Sequence, residues 1–184
     1  MTTFTAHTID SAPAAAKPLL EGAKASLGFV PNLFANMTQA PALLEGYLSL
    51  MNIVGKTGLS ETECQIILMT NNRLNGCEYC MAAHTTLSQM ANVADEVIES
   101  LRAGTPIADN KLEALRQFAI IVNETRGNPS DAQIQALLDA GYTQQTVLEV
   151  VLATAFKVLS NYTNHITGTQ IDDAFKPNEW SKAA

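Results

Sequence analysis

Helix start and stop signals recur along nearly the whole chain, and no other feature of the sequence constrains the fold as strongly. Ser60 with Glu63 has the spacing of a capping box, and Asn75-Gly76 is a typical helix end. We find no run of alternating apolar and polar residues, which a half-buried strand would show. The sequence therefore predicts an all-α fold.

The positions of the expected helices follow from these signals. Ser11 before Pro13 opens the first, near residues 12–26, and "GFVPNLFANM" is expected to be a Pro-initiated turn that leads to the second. This second helix is expected at about 41–54, and later helices are expected at about 61–74, from Cys77 onward, and near 93–102, 109–126, 131–139 and 143–166. A polar tail, residues 169–184, follows. Because no linker indicates a second domain, we expect one domain over residues 1–184.

A weak internal repeat is visible at a shift of 84 residues. It aligns "QIILMT" of residues 65–70 with "EVVLAT" of residues 149–154, and Cys77 and Cys80 with Asn161 and Asn164. The repeat predicts two related helical hairpins, of which only the first carries thiols.

Size and charge argue against several classes of function. The 184 residues carry a net charge of −7, and the basic residues are scattered singly, so the basic patch of a nucleic-acid or membrane-surface protein is missing. The N-terminus has no basic segment leading into an apolar run, and no apolar run reaches the roughly 18 residues that a spanning helix needs. Three cysteines are too few for a secreted disulfide framework. We therefore expect a cytoplasmic protein that binds neither nucleic acid nor membranes.

The stretch "LNGCEYCMAAH", residues 74–84, brings two cysteines and a histidine together. On a helix, Cys77, Cys80 and His84 fall at about 0°, 300° and 340°, so one substrate can meet all three. Helical residues three apart are about 5–6 Å apart, a separation that a disulfide tolerates. A helix start favours thiolate, and His84 can take or return a proton near neutral pH. The pattern favours a redox-active pair.

Two other interpretations of this motif remain open. Half of a structural zinc site would also contain C-x-x-C, but a closed site needs four ligands and only three are nearby, with His165 as the one obvious distant candidate. We therefore expect no bound metal. The other alternative is a reduced, inert pair. Cys64 lies beside "QIILM" and is expected to be a small buried residue without chemistry.

The segment "LSETECQIILMTNNRLNGCEYCMAAH" resembles the core of the carboxymuconolactone decarboxylase family, in particular its alkyl hydroperoxidase D-like, peroxidase-related branch. The flanking "GFVPNLFANMTQAPALLEGYL" and "FKVLSNYTNHITG" are also similar to that branch, so the resemblance covers about residues 27–168. It implies an all-α helical bundle that assembles as trimers or pairs of trimers, and cysteine-based reduction of organic hydroperoxides. By this resemblance Cys80 is the attacking thiolate, Cys77 the resolving thiol, and His84 part of the proton relay.

One position departs from the family pattern. Members with peroxidase chemistry usually have a glutamate twelve residues before the first cysteine, where this chain has Gln65. Glutamine can orient a water or a thiol but cannot accept a proton. Glu61 precedes Gln65 by four residues on the same helical face and is the expected substitute. The candidate catalytic residues are Cys80, Cys77, His84, Gln65 and Glu61.

The expected function is that of an antioxidant oxidoreductase, a thiol-dependent alkyl hydroperoxide reductase. No nicotinamide or flavin motif is visible, so we expect no cofactor, and an external thiol or dithiol protein must supply the electrons. Two alternatives remain open. One is a lactone-acid decarboxylase, which does not depend on a dithiol. The other is a thiol–disulfide exchange or redox-sensing module without peroxidase turnover.

Overall fold

The regular secondary structure is helical throughout residues 4–182, the part of the chain that the computed structural model describes, so the predicted all-α fold is confirmed. The α-helices in this part are α1 (Lys17–Leu27), α2 (Asn32–Met37), α3 (Pro41–Val54), α4 (Glu61–Asn75), α5 (Glu78–Met90), α6 (Asp95–Ala103), α7 (Asn110–Glu124), α8 (Asp131–Asp139) and α9 (Gln144–Thr167). A single 3₁₀ turn follows at Lys176–Asn178. Within the described range, none of the helices combines the length and apolar composition that spanning a bilayer requires.

Helix α4 lies at the centre of the bundle and packs against α5, α6, α7 and α9. Its residues from Gln65 to Asn72 are all buried, although several of them are polar. Because buried polar side chains need hydrogen-bond partners, the helices around α4 must supply polar groups at matching positions.

The first helix is shorter than expected, and a proline explains the difference. α1 begins at Lys17, so that Pro18 lies in its first turn. A helix over 12–26 would hold Pro18 in its interior, where proline lacks the N–H and clashes with the carbonyl four residues earlier. The expected start near residue 12 is therefore wrong.

The segment expected to be only a turn, "GFVPNLFANM", contains helix α2. Pro31 is its N-cap, and the side chains of Leu33, Phe34 and Met37 are buried. α2 packs against α3 and α9. A helix of six residues is not stable alone, so burial of these apolar side chains stabilises it.

The later helices begin and end within two residues of the expected positions. Ser60 and Ser130 form the two expected capping boxes, and Thr143 forms a further one at the start of α9. The weak internal repeat does not produce a second hairpin, because Asn161 and Asn164 lie with residues 149–154 in the single helix α9.

The expected polar tail is packed against the bundle along residues 169–182, here called the C-terminal strap. Tyr79 of α5 donates its hydroxyl to Asp172 at 2.6 Å. Trp180 donates its indole N–H to the carbonyl of Arg102 at 3.0 Å. The strap therefore connects α5 with the end of α6. The last two residues of the expected tail, 183–184, and residues 1–3 lie outside the described part of the chain.

Candidate active site

Two thiols lie at the corner between α4 and α5. Gly76 ends α4 with a φ of 68°, a left-handed conformation that suits glycine. The chain then turns so that the N–H of Cys77 donates to the carbonyl of Asn72 at 2.9 Å. Cys77 and Cys80 are both free thiols, and they are 0% and 2% exposed. The corner therefore holds both sulfurs inside the protein.

The sequence predicts that α5 begins at Cys77. In the structure Cys77 is instead the N-cap, and the helix begins at Glu78. The backbone of Cys77 is extended, with φ −85° and ψ 95°, and its sulfur accepts a hydrogen bond from the N–H of Cys80 at 3.4 Å. The helical angles expected for the three motif residues therefore apply only to Cys80 and His84. An N-cap sulfur lies among the free N–H groups at the helix start, where negative charge is favoured.

Asn164 of α9 contacts both sulfurs. Its Nδ2 donates to Cys80 Sγ at 3.1 Å and to Cys77 Sγ at 3.6 Å. The side chain is buried, and its Oδ1 has no hydrogen-bond partner within residues 4–182. α9 thus supplies a hydrogen-bond donor to the pair and leaves an acceptor free beside it.

Further asparagines fix α9 against the corner. Asn161 donates to Oδ1 of Asn72 at 3.0 Å and accepts from Nδ2 of Asn75 at 2.8 Å. Asn72 donates in turn to the carbonyl of Cys80 at 3.1 Å. These bonds satisfy polar groups of α4 that packing has buried, and they hold the thiol segment in register with α9.

Lys157 of α9 is a buried cation in the site, with 1% of its surface exposed. Its Nζ lies 2.9 Å from Nε2 of His84. Burial, and then the charge of Lys157, hold the pKa of His84 well below its usual value, so the imidazole is neutral. The ammonium can only donate hydrogen bonds, and Nε2 of His84 is therefore the acceptor.

The other ring nitrogen of His84 contacts Gln65. Nδ1 of His84 lies 2.9 Å from Oε1 of Gln65, and Nε2 of Gln65 donates to Oε1 of Glu61 at 2.8 Å. Because the carboxylate fixes the direction of the amide, Oε1 of Gln65 accepts from Nδ1–H. Gln65 and Glu61 thus hold one tautomer of His84, and both ring nitrogens are engaged by groups other than the thiols.

The two thiols have opposite pKa shifts. Burial alone raises the pKa of Cys80, but the hydrogen bond from the Cys77 thiol and the charge of Lys157 outweigh it and lower the value, aided by Ser160 and Asn161. The same hydrogen bond to Cys80, followed by burial and the Cys80 charge, raises the pKa of Cys77. Cys80 is therefore the more acidic thiol of the pair, and Cys77 is the less acidic one.

Cys64 is electrostatically unlike the pair. It is partly buried on α4 and packs against the hydrophobic core. Burial and the nearby charge of Glu61, only partly offset by Lys157, raise its pKa to about 11. Near neutral pH it is a protonated and weakly nucleophilic thiol.

Two residues of the site, Lys157 and Asn164, are absent from the candidates expected from the sequence. Lys157 had a local signal, because it is the single charge in the apolar run "VVLATAFKVL". Asn164 had a weaker one, since the internal repeat aligns it with Cys80. In the structure Asn164 contacts Cys80 for a different reason than the repeat, because α9 packs directly against α4 and α5.

The structure also places His165, the one distant candidate for a fourth ligand in the zinc interpretation. His165 has an exposed side chain on α9, whereas Asn161 and Asn164 on the same helix are buried. Across residues 4–182 there is no grouping of three or more His, Cys, Asp or Glu side chains with the arrangement of metal ligands.

The amino-acid sequence matches a family and a curated protein. Residues 41–120 match the carboxymuconolactone decarboxylase family. The alkyl hydroperoxide reductase AhpD of Rhodococcus erythropolis (strain PR4 / NBRC 100887) is 34% identical over 59 residues, which are 32% of this chain and 33% of that relative. The match therefore spans about a third of the length of this curated relative.

Solved structures match nearly the whole chain. The alkylhydroperoxidase AhpD core of a peroxidase-related protein from Ralstonia eutropha JMP134 has a TM-score of 0.80 at 22% identity, covering 95% of this chain and 96% of its own. A peroxidase-related protein from Silicibacter sp. TM1040 has a TM-score of 0.79 at 20% identity, with 95% of each chain covered. The debrominase Bmp8, solved with 2,3,4-tribromopyrrole, has a TM-score of 0.77 at 19% identity, with 97% and 96% covered.

These likenesses define the class of the fold, which is the all-helical AhpD-like fold, here with a buried dithiol at a helix corner. Residues 41–120, which include the dithiol and His84, are the part of the chain that matches the carboxymuconolactone decarboxylase family. The family relationship expected from the motif is confirmed.

Proposed function

We propose that this protein is a thiol-dependent peroxidase that reduces organic hydroperoxides with Cys80 and Cys77. One observation carries the proposal, namely two free thiols that share the Asn164 amide at 3.1 and 3.6 Å, in surroundings that lower the pKa of Cys80 and raise that of Cys77. A thiolate is the form that attacks peroxide oxygen, and a protonated thiol three residues away can then close a disulfide. Burial alone would raise both pKa values. The name of the Rhodococcus relative, alkyl hydroperoxide reductase, supports the same reaction.

In the proposed reaction, the Cys80 thiolate attacks the terminal oxygen of the hydroperoxide ROOH. The S–O bond forms, the O–O bond breaks, and RO⁻ takes a proton to leave as the alcohol ROH. Cys80 is then a sulfenic acid. Cys77 attacks that sulfur, and the oxygen leaves as water with the Cys77 proton while the disulfide forms. An external dithiol then reduces the disulfide by exchange and is itself oxidised.

Lys157 is the proposed source of the proton for the leaving RO⁻. Its ammonium is close enough to lower the pKa of Cys80, and it hydrogen-bonds to His84. His84 is neutral because its pKa is lowered, so it serves to hold Lys157 and not to donate a proton. Gln65 and Glu61 in turn orient His84. When the external dithiol reduces the disulfide, one of its two protons goes to Cys77 and the other returns to Lys157, while Cys80 leaves as the thiolate.

Self-association and an external reductant are parts of the same proposal. The outer face of α9 carries Leu148, Val151, Tyr162 and Ile166, which are 70%, 48%, 54% and 67% exposed. These residues lie within about 60° of one another around the helix, so they form one apolar stripe. We propose that this stripe contacts other copies of the chain in a trimer or pair of trimers, working with a dithiol protein in the cytoplasm.

The test is stopped-flow oxidation of the fully reduced protein by cumene hydroperoxide. We expect one equivalent of hydroperoxide to be consumed per chain, with mass spectrometry locating a single disulfide between Cys77 and Cys80. Cys64 should stay reduced, because its raised pKa keeps it protonated. The matched controls are Cys80→Ser, which should abolish the fast phase, and Cys64→Ser, which should leave it unchanged.

Other outcomes would point to the alternative functions. A protein that exchanges with oxidised glutathione but does not react with cumene hydroperoxide would be a thiol–disulfide exchange module. Turnover of a carboxymuconolactone that survives Cys80→Ser would indicate the decarboxylase alternative, which has no need of the dithiol. Oxidation centred on Cys64 would contradict the assignment of the site.

A further inference from the structure

We infer that Asn164 binds the substrate, with its free Oδ1 accepting a hydrogen bond from the O–H of the hydroperoxide while its Nδ2 holds the Cys80 sulfur. This inference rests on the proposed function and deepens it. It names the chemical feature that a substrate must have, which is a hydrogen-bond donor on the oxygen that is attacked.

The direction of the Asn164 amide is given by its contacts, because Nδ2 faces both sulfurs. A thiolate only accepts hydrogen bonds, so the NH₂ end of the amide must face the sulfur. Nδ2 is 3.1 Å from Cys80 Sγ and 3.6 Å from Cys77 Sγ, so it serves both members of the pair. The carbonyl end is therefore turned away from the thiols and cannot be satisfied by them.

The carbonyl oxygen of Asn164 has no partner within residues 4–182, although its side chain is 5% exposed. Buried acceptors in native proteins are nearly always hydrogen-bonded, and an unpaired one is destabilising. An acceptor left free beside a reactive sulfur is suited to a ligand that brings a donor with it. The hydroperoxide O–H is such a donor.

Oδ1 is turned away from the thiols, but it is bonded to the same carbon as Nδ2 and lies only about 2 Å from that atom, which contacts Cys80 Sγ at 3.1 Å. An oxygen that donates an O–H to Oδ1 at about 2.7 Å can therefore lie in contact with Cys80 Sγ at the same time. Cys80 is 2% exposed and Asn164 is 5% exposed, so a hydroperoxide must displace local packing to reach either residue.

The hydrogen bond lasts through the reaction, because the oxygen that carries the hydrogen is the one transferred. ROOH donates to Oδ1 before attack, and the Cys80 sulfenic acid donates to the same atom afterwards. The contact holds the terminal oxygen against the sulfur and points the RO group away. A thiol reagent without a donor, such as methyl methanethiolsulfonate, gains nothing from it.

The experiment compares two reagents on the full-length protein and two variants, Asn164→Ala and Asn164→Asp. Single-turnover rates with cumene hydroperoxide and with methyl methanethiolsulfonate are measured above the Cys80 titration of each variant, followed by thiolate absorbance. Asn164→Ala should lower the ratio of hydroperoxide rate to thiolsulfonate rate about three- to tenfold, because it removes one hydrogen bond. Asn164→Asp keeps an acceptor and should retain the ratio, although its charge raises the pKa of Cys80.

The matched control is Asn161→Ala, one turn earlier on α9, where the amide contacts Asn72 and Asn75. It should change both rates by the same factor. An unchanged ratio in Asn164→Ala would overturn the inference and leave Asn164 only a donor to the thiolate. If Asn164→Ala does not fold, Asn164→Asp provides the test. A fall in its ratio of hydroperoxide rate to thiolsulfonate rate would also overturn the inference. A wild-type protein that reacts with the thiolsulfonate but not the hydroperoxide would overturn both this inference and the proposed function.

Discussion

A buried ammonium sets the charge balance at the dithiol. Lys157 is 1% exposed, its Nζ contacts Nε2 of His84, and its charge lowers the pKa of Cys80. A charge at this depth needs a partner of opposite sign, because an unpaired buried ion is strongly destabilising. The thiolate that we propose for Cys80 is such a partner, so in the proposed mechanism the reactive form of the sulfur is also the form that best fits the folded protein.

Lys157→Met should move the pH dependence of Cys80 reactivity to higher pH. The positive charge lowers the Cys80 pKa, so its removal raises that pKa, and the sulfur stays protonated until a higher pH is reached. We expect the midpoint of the pH–rate profile with cumene hydroperoxide to rise by about one to three units, with a parallel shift of the thiolate absorbance. Lys24→Met, on the exposed side of α1, is the matched control and should leave the profile in place. A midpoint that stays constant in Lys157→Met would contradict the role given to the ammonium.

The N-terminus of α5 connects helix formation with thiol chemistry. The Cys77 sulfur caps the helix by accepting the N–H of Cys80, so the thiol that we propose as the resolving one is also a structural group. The strap holds the same helix from the other side, because Tyr79 donates to Asp172, which also accepts from the backbone N–H of Asn32. The C-terminal strap and α2, both distant in sequence from the cysteines, therefore help to fix the short segment that contains them.

The N-cap role of Cys77 is tested by comparing Cys77→Ser with Cys77→Ala in urea unfolding. Serine keeps an acceptor for the N–H of Cys80, whereas alanine removes it, so the alanine variant should be less stable by about 1 kcal/mol. In both variants, oxidation by hydroperoxide should stop at a Cys80 sulfenic acid that dimedone traps, because no resolving thiol is present. Equal stability of the two would mean that the sulfur does not act as a cap.

At the scale of the whole molecule, α9 has two faces with different tasks. Its inner face brings Lys157 and Asn164 to the dithiol, and its outer face carries an apolar stripe that is exposed in the single chain. Because one helix holds both, contacts made by the stripe would fix the position of the polar residues on the other face. Assembly and reactivity are therefore expected to change together.

Ile166→Glu places a charge within the exposed stripe, where Ile166 is 67% exposed. If the stripe is an interface between copies, this change should raise the dissociation constant of the oligomer by about tenfold or more, since burial of one isoleucine contributes about 1.5–3 kcal/mol. Sedimentation velocity and light scattering measure the outcome. Leu27→Glu on α1, 48% exposed, is the control and should not alter the assembly. A protein that is monomeric without any substitution, or an oligomer that Ile166→Glu leaves intact, would remove the stripe from the proposal.

The sequence by itself determined the features that depend on neighbouring residues. The capping box at Ser60, the left-handed turn at Gly76 and the close pair Cys77 and Cys80 are local, because their signals lie within a few residues of the structure that they produce. The same is true of most helix ends. The start of α1 was missed because the restriction imposed by Pro18 outweighed the opening signal at Ser11.

The tertiary structure alone decided which residues complete the site. Lys157 and Asn164 lie far from Cys80 in the chain and reach it only because α9 packs against α4 and α5. The pKa order of the two thiols depends on that packing as well, since burial, the ammonium and the hydrogen bond between the thiols all act through space. Local signals fix where a helix begins and ends, whereas the charge on a buried sulfur is set by the groups that the folded chain brings around it.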